Sequence, residues 1–508
     1  MRRHWPSRVA SDAVGGINPL DKSSHEPLAS GAFKGALMTR TSLPYLKALL
    51  ISLAIVALAT CAAPARLSPP AQSVVAFVHV TLIPAYGDPA IEDATVIVRD
   101  SHIAQIGRNL RVPPGARVVG HRGQFLAPGL ADMHVHIFNP DDGALYLANC
   151  VTSVRNMAGR PETLALAERI RSGDVAGPYI YSSGPILDGV TADYVNPHAI
   201  TTVAEMTSAI AQTAAAGYIA AKLYENLTPE LFARGVAEAR AHGLEVYAHV
   251  PLSMSVRDVL ALRIDSIEHL TGFDRALAPL SHSDWDQERW TEAQPALMAP
   301  LAREVAASGV WNAATLVTWL DAERAFADIG AAEAGPLYRY ASLRLRRHWR
   351  DIYDDERQRH DPAQAWALAR QGHGARLAMV RALHAAGAPL LIGTDAPQPF
   401  LYPGFSFQDE LGFHRDAGIS NRDILRAASI DAARFLHREG EFGAVVVGAR
   451  ADLLLLNADP DADLASLRTP AGVMAAGRWY DAAALQALLD NVAAQIRAQT
   501  ETPGALPH

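Results

Sequence analysis

Hydrophobic and polar positions along the chain change rhythm twice. Apolar runs at residues 74–80, 94–98 and 102–106 are short and separated by turn residues, a pattern that predicts a small β-module. Beyond His136 the rhythm lengthens into strand–helix alternation. One unit is particularly legible: 218–224 is strand-like, and Thr228-Pro229-Glu230 supplies an N-cap, a proline at the first helical position and an early acid. The helix is expected to reach His242 and stop at Gly243. A strand at 244–249, a helix at 255–262 and a strand at 265–270 follow. Repeated βα units over roughly 300 residues point to a parallel barrel or a doubly wound sheet. Residues 274–382 read as a helical insertion around one barrel strand near 310–317, with Trp285, Trp290, Trp311, Trp319 and Trp349 taken as its core. Strand character returns at 443–447, 451–456 and 472–475, and this second β-patch is expected to join the first in one module built from both ends of the chain.

At 508 residues, 49% hydrophobic and 19% charged, the chain suits a large α/β domain with an accessory module. A formal net charge of −8 and the lack of a basic stripe argue against nucleic acid as a partner. The apolar run 48–59, preceded by Arg40 and Lys47, is short for a membrane span and suits the core of a signal peptide. Leu58-Ala59-Thr60-Cys61 resembles a bacterial lipoprotein cleavage box, with an unusual Thr before the Cys, so Cys61 is a candidate lipid anchor. Ordinary cleavage near Ala63 or Ala65 is the alternative. Residues 1–37 do not look like the start of a signal peptide, whereas Met38 would give a compact one. The expectation is an exported bacterial protein, periplasmic or membrane-anchored, with 1–72 as export segment and linker. Cys61 and Cys150 are the only cysteines, so loss or lipidation of Cys61 removes any intramolecular disulfide.

The candidate chemistry begins at Leu126-Ala127-Pro128-Gly129-Leu130-Ala131-Asp132-Met133-His134-Val135-His136. Alternate side chains of a strand point the same way, so His134 and His136 present two imidazoles on one face. Lys222, His249, His269 and Asp395 each close a strand-like run; in a parallel barrel such tips converge on one face. Four histidines and a carboxylate suit a borderline cation such as Zn²⁺. An ammonium should repel a metal, and Lys222 makes sense if CO₂ carboxylates its amine into a bridging carboxylate. Tyr224 shares a face with Lys222 and is a candidate substrate contact. Glu268 is expected on the face opposite His269, as a structural partner.

These motifs resemble the amidohydrolase superfamily of metal-dependent hydrolases. The resemblance runs from about Val74 to Tyr480 and rests on Pro-Gly-Leu-Ala-Asp-Met-His-Val-His, Lys-Leu-Tyr, Ala-His-Val, Ile-Glu-His-Leu, Gly-Thr-Asp-Ala-Pro and the closing Gly448-Ala449-Arg450-Ala451-Asp452-Leu453-Leu454-Leu455-Leu456. Within the superfamily the chain looks like imidazolonepropionase-like proteins and Xaa-Pro dipeptidases with a carboxylated lysine. The resemblance implies a (β/α)8 TIM-like barrel at 128–435 and a small β-sandwich module formed by 73–127 and 436–485. It also implies two divalent ions, zinc being the expected metal: His134, His136 and Asp395 on one, His249 and His269 on the other, carboxylated Lys222 between them. Asn156 stands where relatives often carry Asp, and Glu410 is expected to border the pocket.

The implied activity is hydrolysis of an amide or peptide-like C–N bond in a small-molecule substrate by a metal-bridging hydroxide, with Asp395 as general base and then acid. A mononuclear cyclic amidohydrolase or deaminase is the first alternative, against which Lys222 argues. A non-catalytic binding lipoprotein is the second, and its signature, lost ligands, is absent.

Overall fold

The computed structural model describes residues 74–189 and 199–501. The segment expected to direct export, with Met38 and Cys61, lies outside the described residues.

The first β-runs form β1 (Val74–Leu82), β2 (Ile91–Arg99), β3 (His102–Arg108), β4 (Arg117–Val119) and β5 (Phe125–Pro128). Eight parallel strands follow: β6 (Leu130–Val135), β7 (Val151–Asn156), β8 (Tyr179–Leu187), β9 (Ala220–Leu223), β10 (Glu245–Ala248), β11 (Ser266–Glu268), β12 (Trp311–Ala313) and β13 (Leu390–Leu391). They are hydrogen-bonded in chain order. The cylinder closes where Met133 N donates to Ile392 O at 2.8 Å and Asp395 N donates to His134 O at 2.7 Å. A side chain at Gly393 could not fit this seam, since its Cβ would stand 2.7 Å from His134 Cβ.

Local chemistry sets the βα units. Thr228 accepts a hydrogen bond from Leu231 N and opens the helix Pro229–Ala241, which ends at His242 before Gly243 at φ +72°. Ser255 and Asp258 form a reciprocal capping box on the helix Val256–Ala261. Inside the barrel, Ala131, Met133, Ala220, Tyr247, Ala313 and Leu391 pack with Phe435 and Phe442 into a plug. Alternate residues such as Ala221, Leu223, Val246 and Ala248 face the surrounding helices, the two-residue period of a sheet buried on both faces.

The chain's far end supplies β14 (Leu453–Leu456), β15 (Gly472–Ala475) and β16 (Arg478–Asp481). They extend the first β-runs into one eight-stranded sheet ordered β16-β15-β14-β5-β1-β2-β3, with β4 also on β1. The joint is an antiparallel ladder in which Phe125, Leu126, Ala127 and Pro128 face Leu456, Leu455, Leu454 and Leu453. Phe77 of β1 meets Trp479 of β16 edge-on, ring centroids 5.3 Å apart, although three strands separate them in the sheet order. The single sheet therefore curls over its own apolar face, and the module's core lies between its two ends. Residues 443–447, expected as a strand, form a bend, an irregular stretch and the start of a turn instead. Gly443 has φ +80° against the Ser429 carbonyl, Val445 N donates to Pro84 O at 2.6 Å, and Val446 and Val447 are exposed.

Candidate metal centre

Every proposed ligand sits at or just past the C-terminal end of a barrel strand, and all of them are buried. His134, next to last in β6, lies beside Asp395, Nε2 to Oδ1 at 3.3 Å. His136 brings its own Nε2 to the same oxygen at 2.8 Å. The His134 and His269 rings are 4.4 Å apart by centroid, and His269 and His249 are 4.7 Å apart. Tyr224 lies on His249 at 3.9 Å, and the Lys222 Nζ is 5.8 Å from the centre of the Tyr224 ring. Residues spread over most of the chain thus form one cluster. Within it, donor atoms of His134, His269 and Asp395 all lie within 4.8 Å of one another and could hold a metal ion. That group mixes ligands which the sequence reading divided between two ions.

The donor set suits a cation. Among the described residues, His136 Nδ1, His249 Nδ1 and Lys222 Nζ are buried with no hydrogen-bond partner, and orphaned buried polar atoms are costly unless something else satisfies them. Burial holds the His249 and His269 imidazoles well below their ordinary range, which favours the neutral, ligating form. Burial likewise pushes the Lys222 amine down to about 8. For Asp395 burial works the other way, but His269, His134 and His136 outweigh it and hold the carboxyl well below its usual value.

A second layer of residues orients the first. Glu268 Oε2 is 2.7 Å from His134 Nδ1, and Arg155 donates to both Glu268 oxygens at 3.0 and 2.9 Å. Burial opposes ionisation of Glu268, but Arg155, His134 and Lys222 together carry its carboxyl far below the ordinary value. An ionised acceptor at Nδ1 fixes the proton there and leaves the Nε2 lone pair facing the cluster. The expected placement of Glu268 opposite His269 is therefore corrected. β11 ends at Glu268, and His269 and Leu270 adopt φ +61° and +53°, so strand alternation stops and both side chains enter the barrel. The structural role expected for Glu268 stands.

His269 in turn has Thr315 Oγ1 2.7 Å from its Nδ1. Asp132 accepts from Thr394 N at 3.0 Å and Thr394 Oγ1 at 2.7 Å, tying β6 to the segment that carries Asp395. Asn156 accepts from Ile137 N at 2.8 Å and donates to Ser182 Oγ at 3.0 Å, a bracing role that an amide performs through both its atoms. Glu410 does not border the pocket as expected. It is buried, and its carboxylate accepts from Leu316 N at 3.0 Å and Val317 N at 2.8 Å, capping the helix Leu316–Ala327. Arg155 and Thr315 carried no signal in the sequence pattern.

A cavity of about 590 Å³ opens over the cluster, with Tyr224, His249, His269, Trp319 and Asp395 among its lining residues. The sequence model of the amidohydrolase family matches residues 125–480, which takes in every one of these groups. The chain belongs to the amidohydrolase family. Among solved structures it is similar to bottromycin amidohydrolase, at 25% identity and TM-score 0.67, covering 84% of this chain and 91% of the other. Among curated proteins it is 40% identical over 63 residues to a dihydroorotase of Geobacter sulfurreducens and 30% identical over 132 residues to the ochratoxinase of Aspergillus niger. These matches cover 12% and 21% of this chain, and 14% and 27% of the relatives' own length.

Proposed function

We propose that this member of the amidohydrolase family is a metal-dependent hydrolase that cleaves an amide or peptide-like C–N bond at a binuclear site. The observation that carries the reading is the Lys222 amine, wholly buried among four histidines and an aspartate and, among the described residues, without a hydrogen-bond partner. Carboxylation by CO₂ removes the orphaned cation and supplies oxygens that can bridge two ions. His134, His136 and Asp395 would hold one ion, His249 and His269 the other, and the carboxylated Lys222 would serve both. Divalent ions bound there supply Lewis acidity toward a carbonyl oxygen and lower the pKa of water.

The chain's own groups perform the rest. Asp395 borders the cavity and is held ionised, so it can accept the proton of the attacking water. As oxygen adds to the acyl carbon and the C–N bond breaks, Asp395 returns that proton to the leaving nitrogen. Tyr224, whose ring lies 3.9 Å from that of His249, would contact the acyl group. Glu268 and Thr315 hold the imidazoles in fixed orientation meanwhile, which limits reorganisation during the reaction. The names of similar proteins, bottromycin amidohydrolase among them, support an amide substrate. Export to the periplasm or to a lipid anchor at Cys61 is part of the same proposal.

A mononuclear reading has its own support, because among the described residues only His134, His269 and Asp395 form a tight group. Elemental analysis of protein prepared with zinc and bicarbonate, beside Lys222→Ala, separates the two. About two ions per chain in the parent and one or fewer in the variant support the bridged site. About one ion in both overturns it and moves the search to cyclic amides and ring deamination.

A further inference from the structure

The helical insertion contributes one wall of the cavity, and its aromatic residues do not all serve as core. Both Trp290 and Trp319 line the cavity, but Trp290 is almost wholly buried, whereas Trp319 is only partly so and lies beside His269 and Asp395. Its ring stands edge-on to His269, centroids 6.4 Å apart and planes at 84°. Behind it lies Arg376, fully buried, with its guanidinium 4.8 Å from the Trp319 ring centre and 5.0 Å from that of Trp290.

This arrangement is rigid at the place where substrate must lie. The helix bearing Trp319 is capped by Glu410 and tied to the Asp395 segment by Thr318 Oγ1, which donates to Thr394 O at 2.9 Å. Arg376 satisfies one face of the indole by a cation–π contact, leaving the opposite face or an edge for a ligand. A planar, uncharged group would gain both burial and ring–ring contact.

We propose that Trp319, backed by Arg376 and Trp290, is a specificity determinant that selects amide substrates bearing a planar aromatic group beside the scissile bond. The inference rests on the hydrolase reading only in taking the cavity to be the substrate's, and its test involves no turnover. Calorimetric titration of the unreactive acids 3-phenylpropanoate and propanoate into the parent, Trp319→Ala and Trp319→Phe isolates the aromatic contribution, since the carboxylate is common to both. The parent is expected to bind the phenyl acid about tenfold more tightly or better. Trp319→Ala should cut that advantage to about threefold or less, and Trp319→Phe should keep most of it. A parent without the preference, or an advantage that survives in Trp319→Ala, overturns the proposal. Trp319→Leu replaces the alanine variant if thermal melts show that alanine unfolds the insertion. Failure of hydrolysis with the preference intact would count against the hydrolase reading alone.

Discussion

The carboxylate of Glu268 joins two buried groups, His134 Nδ1 at 2.7 Å and the Arg155 guanidinium at 2.9 Å. One acid thus aligns a candidate metal ligand and neutralises a cation fully enclosed in the barrel. Glu268→Gln keeps the shape and removes the charge. Breaking a buried pair leaves an uncompensated ion, so denaturant unfolding should show a loss of about 3–5 kcal/mol. Metal affinity, read by competition with a chromophoric chelator, should fall about 10–100-fold. Unchanged metal affinity would remove Glu268 from any orienting role.

Asp395 carries the proton transfers proposed for catalysis. Asp395→Asn should lower kcat on a peptide or N-acyl amino acid substrate by about 10²–10⁴-fold, with the far-ultraviolet circular dichroism spectrum unchanged. Retained turnover would transfer the acid–base role to another group.

Thr228 accepts the Leu231 amide at 3.3 Å and caps the helix that follows the Lys222 strand. Thr228→Ala should cost about 1 kcal/mol in equilibrium unfolding. Metal content should not change, because the cap lies outside the ligand cluster.

Asp142 opens the helix Asp142–Ala148, and burial raises its carboxyl from the ordinary 3.8 to about 7. Between those values the folded protein binds more protons at this site than the unfolded chain. Its contribution to stability is therefore greatest in acid and is lost as pH rises through about 7. Thermal melts should show Asp142→Asn gaining on the parent as pH is raised from about 5 to about 8. A constant gap across that range would contradict the burial effect.

The candidate ligands were legible because each occupies a position that local pattern defines. His134 and His136 follow strand alternation, and Lys222, His249, His269 and Asp395 end apolar runs bounded by turn or helix signals. The unit from Ala220 to Ala248 was legible for the same reason, since Thr228, Pro229 and Gly243 mark its helix locally. What escaped depends on closure of the barrel. Arg155 and Glu268 are 113 residues apart and meet only across its interior, and the positive φ of His269 that turns both neighbours inward has no marker in its side chain. Periodicity also cannot separate an aromatic residue of the core from one on a cavity wall, so Trp349 and Trp319 look alike until the helices are packed. The run 443–447 was misread because its valines obey strand composition while Gly443 is pinned against the Ser429 carbonyl.

The seam between β5 and β14 bears on how the molecule is made. Contacts there and alongside it span very long stretches of chain: Gln124 reaches Asn457 across 333 residues and Arg117 reaches Asp481 across 364. During vectorial synthesis β1–β5 emerge first and must wait, one edge unpaired, until the barrel and then β14 have left the ribosome. The final strands work as a completeness check. A product truncated before Leu453 keeps every candidate ligand yet leaves the apolar edge of β5 open, and such an edge invites aggregation.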